Sequence, residues 1–298
     1  MLAEKGNTSF LDRPDYLYEE KLDGCRCIAF VNPILKETRL VSRSGQDITQ
    51  KFPELAQLHT QVSKPAILDG EIIGVDFNAV QHRISQQKAL AIRVAALQYP
   101  VRFHVFDIID CDYNSIATMP LIERKAVLQR TFAESYSGRV VPWETGSGKE
   151  LLARTVEQQL EGIMAKQIYS TYVHRRSAAW LKIKNYKEAE FYICGFTIGE
   201  NERAETFGSI IVGRKVDGKL TYCGKVGSGF TREQLVMMLN LADMMQLDGD
   251  CPFEAKVPAD IDREIKAWLR PELRAEVRYL ELSPNGLLRF PTFRKLMK

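Results

Sequence analysis

In "EEKLDGCRCIAF", residues 19 to 30, a lysine stands two positions before an Asp-Gly pair and five before an arginine, at the front of an apolar run that reads as a strand. A lone K-x-D-G is most often a solvated lysine at a strand edge. A reactive Lys21 needs charged partners, and the chain offers several. In "LDGEIIG" the period-2 geometry of a strand sends Asp69 and Glu71 to one face, and in "AAWLKIKN" it puts Lys182 and Lys184 on one face with Leu181 and Ile183 toward the core. Taken singly, each pair fits a solvated strand face. Together with Asp23, Arg26, Arg43 of "SRSGQD" and Glu161 of "EGIMAK", they place charge at the ends of apolar strands, where desolvation is costly unless a site uses it.

The elements that must carry these residues fall into two regions. Up to about Asn185, strand-like runs ("CRCIAFV", "TRLVSRS", "AILDGEIIGVD", "VRFHVFDIID", "GIMAKQIY") alternate with helical patterns ("SQQKALAIRVAALQ", "LIERKAVLQRTFA"), which predicts a layered α+β domain. From Glu190 on, short strands are split by Asp-Gly, Gly-Ser and Asn-Gly turns, with one helical stretch near "TREQLVMMLNLADMM". That profile predicts a small five-strand-class barrel such as an oligonucleotide-binding fold. The boundary is expected near "KNYKEAE", giving domains 1–187 and 188–298, with "GENERAETFG" (199–208) as a hairpin tip.

Composition narrows the function classes without choosing one. The 298 residues are 45% hydrophobic and 27% charged, an ordinary soluble globular balance. Forty-one basic against 38 acidic residues leave a net charge of +3, so a polyanion must be met by local clusters of Lys and Arg. Six cysteines, at 25, 27, 111, 194, 223 and 251, show no C-x-x-C pair, which argues for reduced cytosolic thiols rather than a structural metal. No signal, transit or membrane-spanning stretch is expected, and the protein is read as cytoplasmic.

The order of the motifs resembles the ATP-dependent DNA ligases of the covalent nucleotidyltransferase superfamily, compact bacterial type: "EKLDGCR", "SRSGQD", "LDGEI", "FHVFDI", "EGIMAK" and "WLKIK" follow one another, then "AEVRYLELSPNGLLRFPTF". Each motif alone is weak, whereas the ordered series makes coincidence implausible. The resemblance implies an adenylation (nucleotidyltransferase) domain of antiparallel sheets flanked by helices, followed by a small β-barrel OB-fold domain. It implies that Lys21 attacks the α-phosphate of ATP to form a lysyl-AMP, and that Lys182 and Lys184 stabilise the charge that develops there. A free lysine amine has a pKa of about 10.4, so neighbouring cations and a bound metal must help the attacking amine become neutral. Magnesium, or manganese in its place, wants oxygen ligands: Glu161 first, with Asp23 and Asp69 as contributors. Phe106 is expected to stack on adenine. For its other face, alternation favours Ile163 and the family pattern Met164, and Met164 is taken. Glu71 and Arg26 match positions that hydrogen-bond the ribose. Arg43 matches the residue that holds the 5′-phosphate of a nick, and Asp23 is placed near the attacking 3′-hydroxyl.

The same resemblance makes the second domain a clamp on nicked duplex DNA, with Lys225, Arg232 and Arg289 as candidate backbone contacts. Relatives continue after "RFPTF" into an R-x-D-K-like ending, for which this chain reads "RKLMK"; Arg289, Arg294, Lys295 and Lys298 are the candidates to orient pyrophosphate instead. A two-domain monomeric ligase is expected, with recruitment by an end-binding protein left open. Two other readings stand beside it. One is an RNA ligase or a related nucleotidyltransferase such as a capping enzyme, of which the capping alternative is disfavoured by "SRSGQD" and "RFPTF". The other is a non-catalytic strand-break binding module, disfavoured by the presence of Lys21, Glu161, Lys182 and Lys184.

Overall fold

The computed structural model describes residues 1–243, 250–255, 257–283 and 285–297, and the chain forms two compact units, Met1–Asn185 and Tyr186–Lys298. The division falls two residues before the junction expected from "KNYKEAE".

In the first unit the order is β1 (Leu2–Lys5), β2 (Tyr16–Glu20), β3 (Cys25–Asn32), β4 (Glu37–Ser42), β5 (Ala66–Ile73), α1 (Phe77–Ser85), α2 (Ala89–Gln98), β6 (Arg102–Cys111) and β7 (Asn114–Ser115). It continues with α3 (Leu121–Thr131), β8 (Gly138–Val140), β9 (Trp143–Thr145), α4 (Gly148–Glu157), β10 (Gly162–Gln167) and β11 (Arg176–Lys184). These strands make two sheets. One has the order β1-β11-β10-β2-β9, and the other β4-β3-β5-β6-β7 with β8 parallel to β6.

Alternation along the strands explains the layering. In β2, Leu17 turns to the core between the sheets while Tyr16 and Tyr18 turn to the opposite face. In β11, Trp180 joins Phe106 and Ile109 of β6 in that shared core, whereas Leu181 and Ile183 pack with Ile163 and Ala165 under α4. The far face of the second sheet buries Leu68, Ile72, Phe103 and Val105 against the 3-10 turns of Pro53–Gln61. Each such fully buried apolar side chain contributes about 1.5–3 kcal/mol, so both sheets are pinned on both faces.

Two glycines let the strands meet at the site. A Cβ on Gly24 would lie 2.4 Å from the Ile72 carbonyl oxygen, so only glycine lets the chain enter β3 so close to β5. Gly162 has φ +132°, and its Cβ would lie 2.2 Å from the Ile183 oxygen. The helix predicted over 85–98 starts later: α1 ends at Ser85, residues 86–88 are outside regular structure, and α2 begins at Ala89.

The second unit contains β12 (Lys187–Thr197), β13 (Ile210–Val216), β14 (Lys219–Val226), α5 (Arg232–Asp243), α6 (Ala259–Asp262), β15 (Ile265–Trp268), β16 (Arg274–Tyr279) and β17 (Thr292–Met297). Its sheet runs β14-β13-β12-β16-β17, with β15 also on β12. The Asp217–Gly218 pair turns the β13–β14 hairpin with both residues at positive φ, as a type I′ turn requires. The barrel expected from the sequence is realised as a bulged sheet whose edges meet through two backbone hydrogen bonds, Leu288 N to Cys223 O and Phe293 N to Ser228 O, both 2.8 Å, rather than through a closing ladder among the described residues. Residues 199–208 link β12 to its antiparallel neighbour β13, with Arg203 tied to the Gly208 and Gly227 carbonyls. No helix among the described residues is long and apolar enough to cross a membrane.

Candidate active site

The chain passes from the first sheet to the second in a single step, from the end of β2 to the start of β3, and that step is Lys21-Leu22-Asp23-Gly24. The Lys21 N–H donates to the Gly162 carbonyl at 2.8 Å, which fixes the crossing against β10. The Lys21 side chain therefore starts at the mouth of a cleft of about 200 Å³ between the sheets. Phe106, Met164, Trp180, Glu71, Lys182 and Arg43 are among the residues lining it.

Lys21 Nζ contacts Glu161 Oε2, and Lys184 Nζ lies 2.6 Å from Glu161 Oε1, so one carboxylate bridges two lysines. These three side chains are only 11–19% exposed, and Lys21 lines the cleft. Lys182 faces the same way, opposite Met164 in the β10–β11 register. Burial lowers the pKa of Lys182, and Lys184, Arg176 and Lys21 lower it further. The cluster is built to receive negative charge.

Strict alternation from Glu161 would have turned Ile163 into the cleft. Gly162, with its positive φ, resets the alternation: Ile163 is fully buried on the α4 side, and Met164 faces the cleft. Phe106 forms the opposite part of the slot, edge-on to Trp180 at 5.9 Å and 79°. The Arg26 guanidinium lies 5.0 Å from its ring centroid, and Lys166 Nζ 4.3 Å.

Asp69 does not stand where a metal could reach it. It is fully buried; Oδ1 accepts from Arg26 Nε at 2.6 Å, and Oδ2 accepts from the second Arg26 nitrogen and from the Tyr172 hydroxyl at 2.7 Å. Its expected role as a metal ligand is therefore corrected: both oxygens are spent on holding Arg26. Burial opposes the Arg26 charge, but Asp69 outweighs it and raises the arginine's pKa. Glu71 projects from the same face of β5 into the cleft, and burial pushes its carboxyl from 4.5 up to about 7, although Lys21 and Arg26 pull it down. Among the described residues no group of three or more His, Cys, Asp or Glu is preformed for a metal. Glu161 is the carboxylate that a cation entering the cleft could claim, by displacing a lysine.

Arg43 is exposed at the turn after β4, beside the Ser42–Ser44 hydroxyl pair (3.1 Å), and Asp23 is exposed in the crossing segment. In the second unit Lys225 pairs with Glu264 (2.5 Å), Arg289 with Glu281 (2.6 Å), Arg294 with Glu188 (3.3 Å) and Lys295 with Glu276 (3.4 Å); Lys298 lies outside the described residues. Sequence reasoning missed Glu19, Lys166 and Arg176, which also line the cleft. Glu19 and Lys166 sat inside the quoted motifs "EEKLDG" and "EGIMAK", and their parity with Lys21 and Met164 was the available signal. A larger surface groove, about 1150 Å³, borders β3 and β4, and two of its three lining cations are committed: Arg39 to Asp47 at 3.0 Å and Lys51 to the Gln86 carbonyl.

A lysine held at a carboxylate, with an aromatic slot and a second lysine beside it in one cleft between two largely antiparallel sheets, defines a nucleotidyltransferase. Residues 1–184 match the ATP dependent DNA ligase domain and residues 203–298 the ATP dependent DNA ligase C terminal region. The chain belongs to the ATP-dependent DNA ligase family. It is 30% identical over 300 residues to the multifunctional non-homologous end joining protein LigD of Mycolicibacterium smegmatis, covering 99% of this chain and 38% of that protein. The crystal structure of the ligase domain from M. tuberculosis LigD superposes with a TM-score of 0.55 at 28% identity, covering 100% of this chain and 94% of that one. A structure of mycobacterial DNA ligase D complexed with ATP and MES gives 0.54, again at 28% identity and with the same coverage. The chain thus spans about two fifths of the length of these curated relatives.

Proposed function

We propose that this chain seals 3′-OH/5′-phosphate nicks in duplex DNA through a lysyl-AMP on Lys21. The observation that supports this most is the Lys21–Glu161–Lys184 bridge at the mouth of a cleft walled by Phe106 and Met164. In the first step Lys21 Nζ forms a bond to the α-phosphorus of ATP as the bond to pyrophosphate breaks; Glu161, already in contact with the amine, is placed to accept its proton. Lys182 and Lys184 neutralise the equatorial oxygens of the transferring phosphoryl group. Phe106 and Met164 sandwich adenine, and Glu71 with the uncommitted Nη1 of Arg26 bonds the ribose.

A 5′-phosphate oxygen, steered by Arg43, then attacks the adenylate phosphorus and releases Lys21. The 3′-hydroxyl, beside Asp23, finally attacks the 5′-phosphorus and expels AMP. Magnesium or manganese would supply charge neutralisation on phosphate, held by Glu161 together with phosphate oxygens and water. Lys225, Arg232 and Arg289 contact the DNA backbone, Lys225 and Arg289 exchanging surface carboxylates worth at most about 1 kcal/mol for phosphates. The relatives named as non-homologous end joining proteins point to double-strand break repair as the setting.

The test uses α-labelled ATP with magnesium. Label should appear on the protein, map to Lys21 and vanish in Lys21→Ala; the labelled enzyme should seal nicked duplex DNA and leave single-stranded RNA unjoined, and GTP should not substitute. An adduct on any other residue would overturn the assignment.

A further inference from the structure

The ladder registers of the second sheet align one transverse row of charged side chains. Arg26 lies opposite Glu71, Glu71 opposite His104, and His104 opposite Arg139 on β8. Ser42 pairs with Cys27, so Arg43 continues the row one step past the last β3–β4 pair. At ~4.8 Å per strand, the row runs for roughly 19 Å from Arg43 to Arg139. Residues opposite one another in a ladder share a face, and a contact confirms this at the far end: Arg139 Nε donates to His104 Nδ1 at 3.4 Å. Arg102, two residues before His104, lies on the same face, with its guanidinium 4.7 Å from the Tyr136 ring centroid.

These two arginines are held differently from their neighbours. Arg13, Arg39 and Arg154 each grip a carboxylate. Arg102 and Arg139 are exposed and, among the described residues, form no ion pair within 4 Å, although burial raises the pKa of the Glu20 carboxyl and Arg139 is near enough to pull it back down. His104 is 5% exposed, and burial, helped by Arg139 and Arg102, pushes its pKa down to about 4, so at neutral pH it is an uncharged acceptor. The Arg139 guanidinium is tied through Nε, which leaves its two-nitrogen fork free. The Arg102 plane is set by stacking, which likewise leaves its edge free. An oriented, unpaired guanidinium fork matches the geometry of a phosphate. The nucleotide's own α-phosphate is served by Lys182 and Lys184 on the other sheet, so this end of the row serves a different phosphate.

We propose that Arg139 and Arg102, positioned by His104 and Tyr136, bind the sugar–phosphate backbone of the DNA substrate at the end of the row remote from Arg43. The inference rests on the ligase reading above and extends the phosphate track across the whole sheet.

The experiment compares wild type, Arg102→Ala/Arg139→Ala and Arg130→Ala, an exposed arginine of α3 outside the row, in the full 298-residue chain. Lysyl-adenylate formation from ATP is read first, then binding of a nicked duplex at several salt concentrations. The double variant should form adenylate at the wild-type rate, bind the nick several-fold more weakly, and show a slope of log affinity against log salt shallower by about two, since each phosphate contact contributes about 0.9. Arg130→Ala should match wild type in both. An unchanged slope in an adenylation-competent double variant overturns the proposal, as does a raised KM for ATP with an unchanged slope, which would assign the pair to the nucleotide. If the double variant does not fold, Arg102→Gln and Arg139→Gln are read singly, each expected to flatten the slope by about one. Failure of wild type itself to form an adduct would instead sink the ligase reading.

Discussion

Two clusters in the first unit set one glutamate between two lysines, and they do opposite things with the same three charges. Glu19 accepts from Lys125 and, at 2.5 Å, from Lys166; all three side chains are at most 2% exposed, and α3 is thereby locked to β2 and β10. Glu161 accepts from Lys21 and Lys184, but those side chains keep 11–19% of their surface, and Lys21 lines the cleft. Burial raises the pKa of the Glu19 carboxyl, the two lysines outweigh it, and the carboxylate stays ionised below its ordinary range. Burial likewise lowers the pKa of Lys166 to about 8, against the pull of Glu19. In the sealed cluster Lys166 also lies against the Phe106 and Trp180 rings at the cleft wall, but no side chain is more than 2% exposed, so the charges act as scaffold. In the more open one a phosphate or a metal could replace a contact, and on the proposed reading the same charges act as a reagent.

The largest effect should come from breaking the sealed cluster. Glu19→Ala strands two buried ammonium groups and should cost about 3–5 kcal/mol of stability, seen as a lower urea midpoint. Replacing all three members (Glu19→Leu, Lys125→Met, Lys166→Met) should recover most of that loss, because a well-packed apolar substitute avoids desolvating any charge. If Glu19→Ala proves as stable as wild type, the cluster is not the scaffold described.

A smaller effect sits between the clusters, at Glu71. Its folded pKa of about 7 exceeds the ordinary 4.5 because the cleft buries it. The folded chain therefore holds this proton across a window where the unfolded chain has released it. Its contribution to stability is complete below pH 4.5 and is lost as pH rises through about 7. At 1.36 kcal/mol per pKa unit the penalty at high pH is on the order of 3 kcal/mol. Glu71→Gln should match wild type at pH 4.5 and be more stable by up to that amount at pH 8 without nucleotide, as thermal unfolding across pH will show. A gap that stays constant with pH would mean that Glu71 titrates normally.

The two clusters also differ in how far the sequence reveals them. Lys21, Glu161, Lys182 and Lys184 were legible because each ends or borders an apolar run and because the motif order is distinctive. The Lys182/Lys184 face followed directly from strand alternation in "WLKIK". The sealed cluster was illegible: Glu19 lies 106 residues from Lys125 and 147 from Lys166, and no periodicity links such partners. Asp69 was misjudged for a related reason, since its parity with Glu71 is visible but its depth, and the reach of Tyr172 from 103 residues away, are tertiary. Parity failed at Ile163, where the backbone of one glycine, not any side-chain pattern, decides which neighbour enters the cleft. The barrel was foreseen from turn spacing, but the bulges that keep β14 and β17 from a full ladder leave no compositional trace.

The smallest effect on stability should come from the open cluster, and it sharpens the contrast most. Glu161→Gln keeps the size and one acceptor oxygen while removing the charge that bridges Lys21 and Lys184. Partly exposed pairs of this kind contribute up to about 1 kcal/mol, so the urea midpoint should barely move. Adenylation should fall far more, by on the order of 10²-fold, because the variant loses both the group placed to accept the lysine proton and the carboxylate available to a cation. The pairing of near-unchanged stability with a large loss of lysyl-AMP formation separates a reagent from a scaffold. A variant that adenylates normally would move proton acceptance to another group, and Glu71, whose pKa near 7 suits the task, would be the residue to test next.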